Sequence, residues 1–600
     1  MTDTPLIDVY ADFETFFDSK YSLKKMPTLE YVRDERFQML GCAVAEGDAP
    51  SRWLTPKQFA GWVNRTDWSQ VRLIAHNMLF DGLILHEHYG VQPARYACTQ
   101  ALLRATLPFL ASVSLKNASE ALGVGVKGDA LVAGSDVVSQ DLMDYACNDN
   151  DLCRRIYQLL WPALPEQERE VMSLTLRWGC VGRLGLDTER LEVAVRVARA
   201  EREARIEASG VGEKVLNSNP QFAALLTSMG IRVPTKISKK TEQPTEAFGK
   251  NDPEFLQLMV DYPDHRALWE GRLAAKSNID VNRAEKLHRV STMLTGTLPM
   301  QLNYYGAHTG RWSGSGGLNC QNLPRGSELR RSIIAPPGKA IVVIDSSQIE
   351  LRLNLWFCGQ LDRLGLLRQG GDLYRQEAAE QFGILPGEVT KQQRQFGKVV
   401  QLGLGYGMGW RTFQAYCAGG PLGMDPIYLD ETEADRIVTS YRERHPFVRG
   451  MWKTLQEALS RIISKKPEHC VPAEIGPVTL RSKEVRLPNG MDLLYPDLTN
   501  NENGGYEFGV EGKVKYVYGA KLLENIIQAL ARVVVAEQIL QLDAEFETVS
   551  STHDEALFLA DEVQAEEALA RGLEIFSRSP AWAPDLPLSA EGGYSTCYSK

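Results

Sequence analysis

Ala340-Ile341-Val342-Val343-Ile344-Asp345-Ser346-Ser347-Gln348-Ile349-Glu350-Leu351-Arg352 is the stretch on which the reading of this chain turns. Five apolar residues ending in Asp345 read as a buried strand that carries a charge to a sheet edge, where an unpaired carboxylate is costly to desolvate. About two hundred residues on, Ser551-Thr552-His553-Asp554-Glu555 presents a second acid in the same manner. A divalent cation would relieve both costs. Two such acids meeting in space would cradle two hard cations about 3.5–4 Å apart, the arrangement used for in-line displacement at phosphorus. Each acid also has a plainer explanation: Asp345 as the cap of a helix starting near Ser347, and His553-Asp554 as a hairpin turn.

The 600 residues suffice for about three or four domains. Hydrophobic content of 44% and charged content of 24% are ordinary for a globular protein, and no run approaches the ~18 apolar residues of a membrane span. Met1-Thr2-Asp3-Thr4-Pro5 lacks the basic and apolar stretches of a signal peptide, so a cytoplasmic location is expected, the host cytoplasm if the source is viral. Ten cysteines are scattered singly without zinc-like spacing and read as reduced thiols. A net charge of −10 does not exclude nucleic acid, because grip needs only a local basic groove. Two basic stretches offer one: Lys236, Lys239 and Lys240, then Arg461, Lys465, Lys466, Arg481, Lys483 and Arg486. Solvated faces explain them equally well.

The organisation reads as α/β in three parts. Residues 1–165 alternate short apolar runs with helical stretches, as in Leu6 to Phe13 and Val71 to Ala75. Residues 166–300 are expected to be largely helical, beginning with one strongly helical stretch to about 210 that carries Val193, Val197 and Ala200 on one face. From 211 to 255, Ser, Pro, Thr and Lys, including Lys236-Ile237-Ser238-Lys239-Lys240-Thr241, predict exposed, mobile backbone. Strands and helices alternate again over 301–600.

Ile344 to Arg352 closely resembles motif A of family A DNA polymerases. His553-Asp554-Glu555 resembles their motif C, and Arg394-x-x-x-Lys398 with Tyr406-Gly407 resembles motif B. Thr309-Gly310-Arg311-Trp312-Ser313 and Asn319-Cys320-Gln321-Asn322-Leu323-Pro324 resemble the template-gripping segment. The resemblance implies that Asp345, the Ser346 backbone and Asp554 hold two Mg²⁺ ions, with Mn²⁺ able to substitute. One ion would activate the primer 3′-hydroxyl and the other would neutralise the triphosphate. Glu350 would exclude a ribose 2′-hydroxyl. Thr390-Lys391-Gln392-Gln393 is a capping-box pattern that predicts a helix, on which Arg394, Lys398, Leu402 and Tyr406 fall at steps of four as a nucleotide-binding face. Gly403, Gly405, Gly407 and Gly409 predict a hinge or close approach at its end.

Three residues depart from the family pattern. Leu402 replaces an aromatic, Tyr374 stands where many members have histidine, and Gly405 is an extra glycine expected to loosen the helix. Lys521 to Arg532 reads as an amphipathic helix with Lys521, Asn525, Gln528 and Arg532 polar, resembling a segment of phage-type members. Gln528, Arg311 and His553 are expected near the minor groove, with Glu524 or Asn525 sharing that role and Gln321 a further DNA contact.

Asp12-Phe13-Glu14, His76-Asn77-x-x-Phe80-Asp81 and Tyr145-x-x-x-Asp149 together resemble DEDDy-type 3′–5′ exonucleases. Asp12 and Glu14 alternate on a strand and share a face. With Asp81 and Asp149 they would bind two further Mg²⁺ ions, and Tyr145, one helical turn before Asp149, would orient the attacking water. The two resemblances together imply an RNase H-like exonuclease domain followed by a right hand of palm, fingers and thumb. The implied protein is a monomeric proofreading polymerase of a phage genome, with no 5′ nuclease ahead of it. Its partners would be primer-template DNA, dNTPs and replisome proteins, and it would have none in a membrane. The alternatives are a repair or gap-filling polymerase, or an inactive DNA-binding scaffold on the same fold.

Overall fold

The computed structural model describes residues 6–128, 136–238, 243–250, 252–293, 296–421, 424, 426–463, 472–501, 505–510 and 513–599. Lys239, Lys240, Thr241, Lys465 and Lys466 lie outside the described residues.

The first unit is built on a five-stranded sheet ordered Arg52–Leu54, Met39–Glu46, Ile7–Thr15, Val71–Ala75, Arg95–Cys98. The first three strands are antiparallel and the last two parallel to the centre. Ile7–Thr15 buries Val9, Ala11 and Phe13, so Asp12 and Glu14 fall together on the other, half-buried side. The helices Met78–Tyr89 and Gln140–Leu160 pack around this sheet and bring in Asp81 and Asp149.

The expected continuous helix over about 165–210 is broken into Glu166–Cys180 and Thr188–Ala208, with the strand Leu184–Leu186 between them. That strand pairs with Thr297–Leu298 on one side and Ile333–Ile334 on the other. On the second helix the buried residues are Leu191 and Ala194, while Val197 is 45% exposed, so the apolar face lies one residue from the one expected. The stretch 211–255 also departs from expectation. Leu216, Phe222, Leu226, Phe248 and Phe255 close a small core with Trp269, and only the hairpin Thr235–Ile237/Pro244–Glu246 matches the exposed backbone foreseen there.

The second half is centred on a four-stranded antiparallel sheet ordered Glu547–Thr552, Glu555–Asp561, Lys339–Ser346, Ala590–Ser595. Ala340 to Ile344 are fully buried, as a central strand requires. Behind it runs the 27-residue helix Gly519–Glu545. This helix is not amphipathic in the expected sense: Asn525 and Arg532 are buried, because it is packed on most sides rather than lying on a surface. The helices Leu373–Phe382, Lys391–Leu404, Trp410–Ala418 and Glu431–Arg444 form a separate layer with its own apolar cluster around Phe396, Val400, Phe413 and Tyr441. Among the described residues no helix is long and apolar enough to cross a membrane.

Candidate active sites

Register brings the two founding acids together. Asp345 lies opposite Glu555, and the turn between the strands Glu547–Thr552 and Glu555–Asp561 carries His553 at a φ of 55°. The Ser346 amide donates to the Asp554 carbonyl at 3.1 Å, which locks the turn against the end of the motif A strand. The hairpin explanation of His553-Asp554 is therefore true as geometry, and the hairpin is what delivers the acid. The capping explanation of Asp345 fails, since Gln348, at a φ of 56°, precedes the helix Ile349–Cys358 and that helix has no side-chain cap.

Burial pushes the Asp554 carboxyl up to about 7; Arg311 opposes the shift, while Glu350, Asp345 and Glu555 add to it. Two arginines counter the negative charge. Arg311 pairs with Glu350 and stands 3.6 Å from Asp554, and Arg325 bridges Asp345 at 3.2 Å and Glu555 at 2.9 Å. Glu555 is buried and also accepts from Arg330 at 2.8 Å and from the Tyr598 hydroxyl at 2.9 Å. It is thereby a scaffold for the turn that holds Asp554.

The capping box forms as expected, with Thr390 and Gln393 exchanging bonds at the start of Lys391–Leu404. Arg394 pairs with Asp372, and both Arg394 and Lys398 stand over the buried Tyr374 ring, at 5.5 and 6.0 Å. Tyr374 thus carries the cations on its face as a cation–π platform. Burial lowers the Lys398 ammonium, and Arg325 and Arg394 add to the effect. Gly397, on the same helix, lets it approach Leu373–Phe382: a Cβ there would lie 2.0 Å from the Tyr374 carbonyl. The helix ends at Leu404, so Gly405 caps it rather than loosening its interior, and a Cβ would meet the Gln401 carbonyl at 3.0 Å and the Asn354 amide at 3.1 Å. Gly407 adopts a φ of 84° against Ala520, whereas Gly403 and Gly409 have room. Leu402 is half-buried, whereas Tyr406, expected on the same helix, lies in the turn just beyond its end, near Glu350, Glu524 and Arg311, with its phenol pushed up chiefly by burial.

The expected DNA contacts divide. His553 is exposed at the turn. Gln528 is half-buried, bonded to Glu524 at 3.2 Å and Thr309 at 3.5 Å. Gln321 is buried beneath the hairpin, 3.5 Å from the Ser551 carbonyl. Asn525 is bonded to the Tyr495 hydroxyl at 3.0 Å inside the core, so it does not share the role expected of Gln528. Of the second basic stretch, Arg486 pairs with Asp492 at 2.9 Å and Arg481 with Glu484 at 3.9 Å, so these two are not free cations.

In the first unit Asp12, Glu14, Asp81 and Asp149 converge beside the central strand. Asp81 accepts from the Phe13 amide at 3.1 Å, fixing the helix Met78–Tyr89 to the strand between the two acids. Burial raises the carboxyls of Asp12, Glu14 and Asp81; repulsion adds to it, from Asp149 on Asp12, from Asp12, Asp149 and Asp81 on Glu14, and from Asp12 on Asp81. One Asp149 oxygen is buried without a hydrogen-bond partner and the other holds Lys127, whose ammonium sits 4.7 Å over the Tyr145 ring. Among the described residues no three acid, histidine or cysteine side chains are yet gathered closely enough to coordinate an ion. The orphaned oxygen and the all-carboxylate donor set nonetheless fit hard divalent cations such as Mg²⁺ or Mn²⁺.

Sequence reasoning missed Lys127, Arg325, Arg330, Glu555 and Tyr598 as site residues, and it missed the ion pair between buried Glu168 and Arg532. Glu555 adjoins Asp554 and was the one within reach of a motif.

Comparison with known proteins agrees with the second half. Residues 185–465 match the family model "DNA polymerase family A", a span that includes Asp345 and the helix of Arg394 and Lys398 and stops short of Asp554. The chain is similar to the DNA polymerase of Bacillus phage SP02, with 30% identity over 434 residues covering 64% of this chain and 63% of that one. It is similar to the thermostable DNA polymerase I of Thermus filiformis at 27% identity, covering 63% and 41%, and to DNA polymerase I of Pseudomonas aeruginosa at 26%, covering 54% and 35%. The chain therefore spans less than two thirds of the length of these curated relatives. The POL domain of Pol1 from M. smegmatis, solved in complex with DNA primer-template and dNTP, superposes with a TM-score of 0.67 at 17% identity, covering 99% of this chain and 96% of that one, a likeness of fold. Residues 185–465 are thus similar to DNA polymerase family A, and the likeness of fold extends over nearly the whole chain.

Proposed function

We propose that this protein is a template-directed DNA polymerase that extends a primer 3′ end with dNTPs and edits its product with a 3′–5′ exonuclease, in the replication of a phage genome. The observation that carries the polymerase reading is the register that sets Asp345 against Glu555 and so places Asp554 beside it, within reach of the layer bearing Arg394 and Lys398. Mg²⁺ bound between the two acids and the Ser346 carbonyl would supply Lewis acidity toward the primer hydroxyl and the triphosphate. The chain's own residues do the remainder. Arg394 and Lys398 bind the triphosphate as a forked and a point cation on the Tyr374 platform. The triphosphate competes with Asp372 for the Arg394 guanidinium, so nucleotide selection begins with an exchange of anions. Glu350, held in place by Arg311, stands where a ribose 2′-hydroxyl would have to fit, and Leu402 and Tyr406 line the sugar and base. Arg311, Gln528 and His553 border the primer-template minor groove, with Gln321 supporting the hairpin from below.

The mixed sheet of the first unit and its four convergent acids support an RNase H-like DEDDy exonuclease. Asp12, Glu14, Asp81 and Asp149 would hold two divalent ions, which supply a nucleophilic hydroxide and charge neutralisation at the scissile phosphate. Tyr145 orients the attacking water, and Lys127 neutralises Asp149. Primer extension with Mg²⁺ and all four dNTPs tests the reading: extension to the template end is expected, and failure to add a single nucleotide to a bound primer would leave only a DNA-binding scaffold.

A further inference from the structure

The helices Leu373–Phe382 and Lys391–Leu404 meet through matched faces. Tyr374, Glu377, Ala378 and Gln381 on the first, and Arg394, Gly397, Lys398 and Gln401 on the second, each fall at i, i+3, i+4 and i+7, one stripe per helix. The seam is therefore polar where a packed helix pair is ordinarily apolar. Its far end is nonetheless shut off from water: Glu377 is 0% exposed and Gln401 2%.

Glu377 is held from three helices. One of its oxygens accepts from the Gln381 amide at 2.9 Å and from Arg444, on the helix Glu431–Arg444; the other accepts from the Gln401 amide at 3.0 Å. Arg444 also pairs with Glu380 at 2.9 Å. The same Gln401 nitrogen faces Nε2 of His445 at 3.4 Å. Burial holds that imidazole below its usual range, and its Nδ1 donates to the Tyr441 carbonyl at 2.9 Å, so the ring is neutral and Nε2 is an acceptor. Both amide hydrogens of Gln401 are thereby aimed, one at a carboxylate and one at an imidazole. Its Oε1 is buried without a hydrogen-bond partner among the described residues.

Two helices that had only to stay together would do so more stably through an apolar seam, which has no buried carboxylate to compensate and no orphaned oxygen. What the amide–carboxylate bond adds is direction. Gly397 brings the helices into contact at the Tyr374 carbonyl, but a single point of contact leaves rotation about it open. The bond from Gln401 to Glu377, one helical turn further along, closes that freedom. We propose that Gln401 and Glu377 are positioning residues for the incoming nucleotide: their bond sets the rotation of Lys391–Leu404 against Leu373–Phe382, and with it the alignment of Arg394 and Lys398 over the Tyr374 ring. The inference rests on the reading of Arg394 and Lys398 as the triphosphate site and adds the residues that aim them.

Steady-state incorporation of one correct dNTP into a saturating primer-template, run below the melting temperature of every variant, tests it. Gln401→Leu should raise KM for the dNTP about tenfold, with primer-template affinity by fluorescence anisotropy within about twofold of wild type. Val438→Ala, a truncation in the apolar cluster of the same helical layer, should also lower the melting temperature but leave KM within about twofold. Gln401→Glu sets two carboxylates against each other and should lose as much as Gln401→Leu. Adding Glu377→Gln to it keeps an oxygen for Arg444 and Gln381 and turns an amide toward the new carboxylate, so most of the loss should be recovered. A wild-type KM in Gln401→Leu, an equal rise in Val438→Ala, or no recovery in the reversed pair overturns the inference while wild type still extends its primer. Wild type that extends no primer overturns the polymerase reading, and the inference with it.

Discussion

Replacing Arg532 with methionine should destabilise the junction between the two halves by about 3–4 kcal/mol. Glu168, on the helix that follows the first unit, and Arg532, on the long helix behind the second sheet, are 1% and 3% exposed and form an ion pair across the molecule. Glu168 also accepts from the Tyr304 hydroxyl at 2.6 Å and the Asn489 amide at 2.7 Å, and the Arg532 guanidinium stands 5.1–5.4 Å from the rings of Tyr304, Tyr305 and Trp312. Breaking one side of such a pair typically costs about 3–5 kcal/mol, because a charge is left buried and uncompensated. The two hydrogen bonds that remain on Glu168 place this case at the lower end. Differential scanning calorimetry should show the affected transition lowered by on the order of 10 °C.

The pH dependence gives a second readout of the same pair. Burial alone would raise the Glu168 carboxyl; Arg532 outweighs it and holds the group below the usual range. Its stabilisation is therefore complete above the unfolded-state value near ~4.3 and is lost as pH falls through the lower folded value. In Arg532→Met the main lowering influence is gone, so Glu168 takes up its proton at higher pH, which relieves the buried charge. The gap between wild type and variant should be widest at neutral pH and close on acidification. Glu168→Gln combined with Arg532→Met should recover about 2 kcal/mol. A loss below about 1 kcal/mol, or a gap that widens in acid, would refute this reasoning.

Other expectations follow from the two sites. Glu350→Ala should admit ribonucleotides, read as at least a tenfold fall in dNTP-over-NTP selectivity in single-nucleotide incorporation; unchanged rejection would remove Glu350 from the sugar gate. Asp12→Ala with Glu14→Ala should abolish degradation of a labelled 3′ end while leaving primer extension within about twofold, since the two sites share no ligand. Gly397→Ala drives a methyl into the Tyr374 carbonyl and should cost about 1–3 kcal/mol of stability in the helical layer, with a raised KM for dNTP measured by steady-state extension.

What was legible in the sequence was local. The apolar run into Asp345, the alternation of Asp12 and Glu14, the i,i+4 spacing of Tyr145 and Asp149 and the capping box at Thr390 are patterns within one element, and each element formed where expected. What was not legible depended on partners far away in the chain. Arg532 reads as a polar helix position until Glu168 is known to face it, and Asn525 until Tyr495 does. Lys127 carries no motif, and its role follows only from its contact with Asp149 and the Tyr145 ring. Polar composition over 211–255 concealed a small core, because Leu216, Phe222, Phe248 and Phe255 are spaced too irregularly to show a period. Gly405 marks a helix end, a position fixed by the packing of Asn354 and Trp452 rather than by the glycine's own propensity.

The central claim, that Asp345 and Asp554 act together in phosphoryl transfer, is tested most directly by single-turnover incorporation of one correct dNTP into a bound primer-template by wild type and Asp345→Asn. The variant keeps the shape of the strand end and removes the charge that a divalent ion would need. Incorporation should fall by at least about a thousandfold, with primer-template affinity within a few-fold of wild type. A variant that incorporates at a rate near wild type would contradict the assignment.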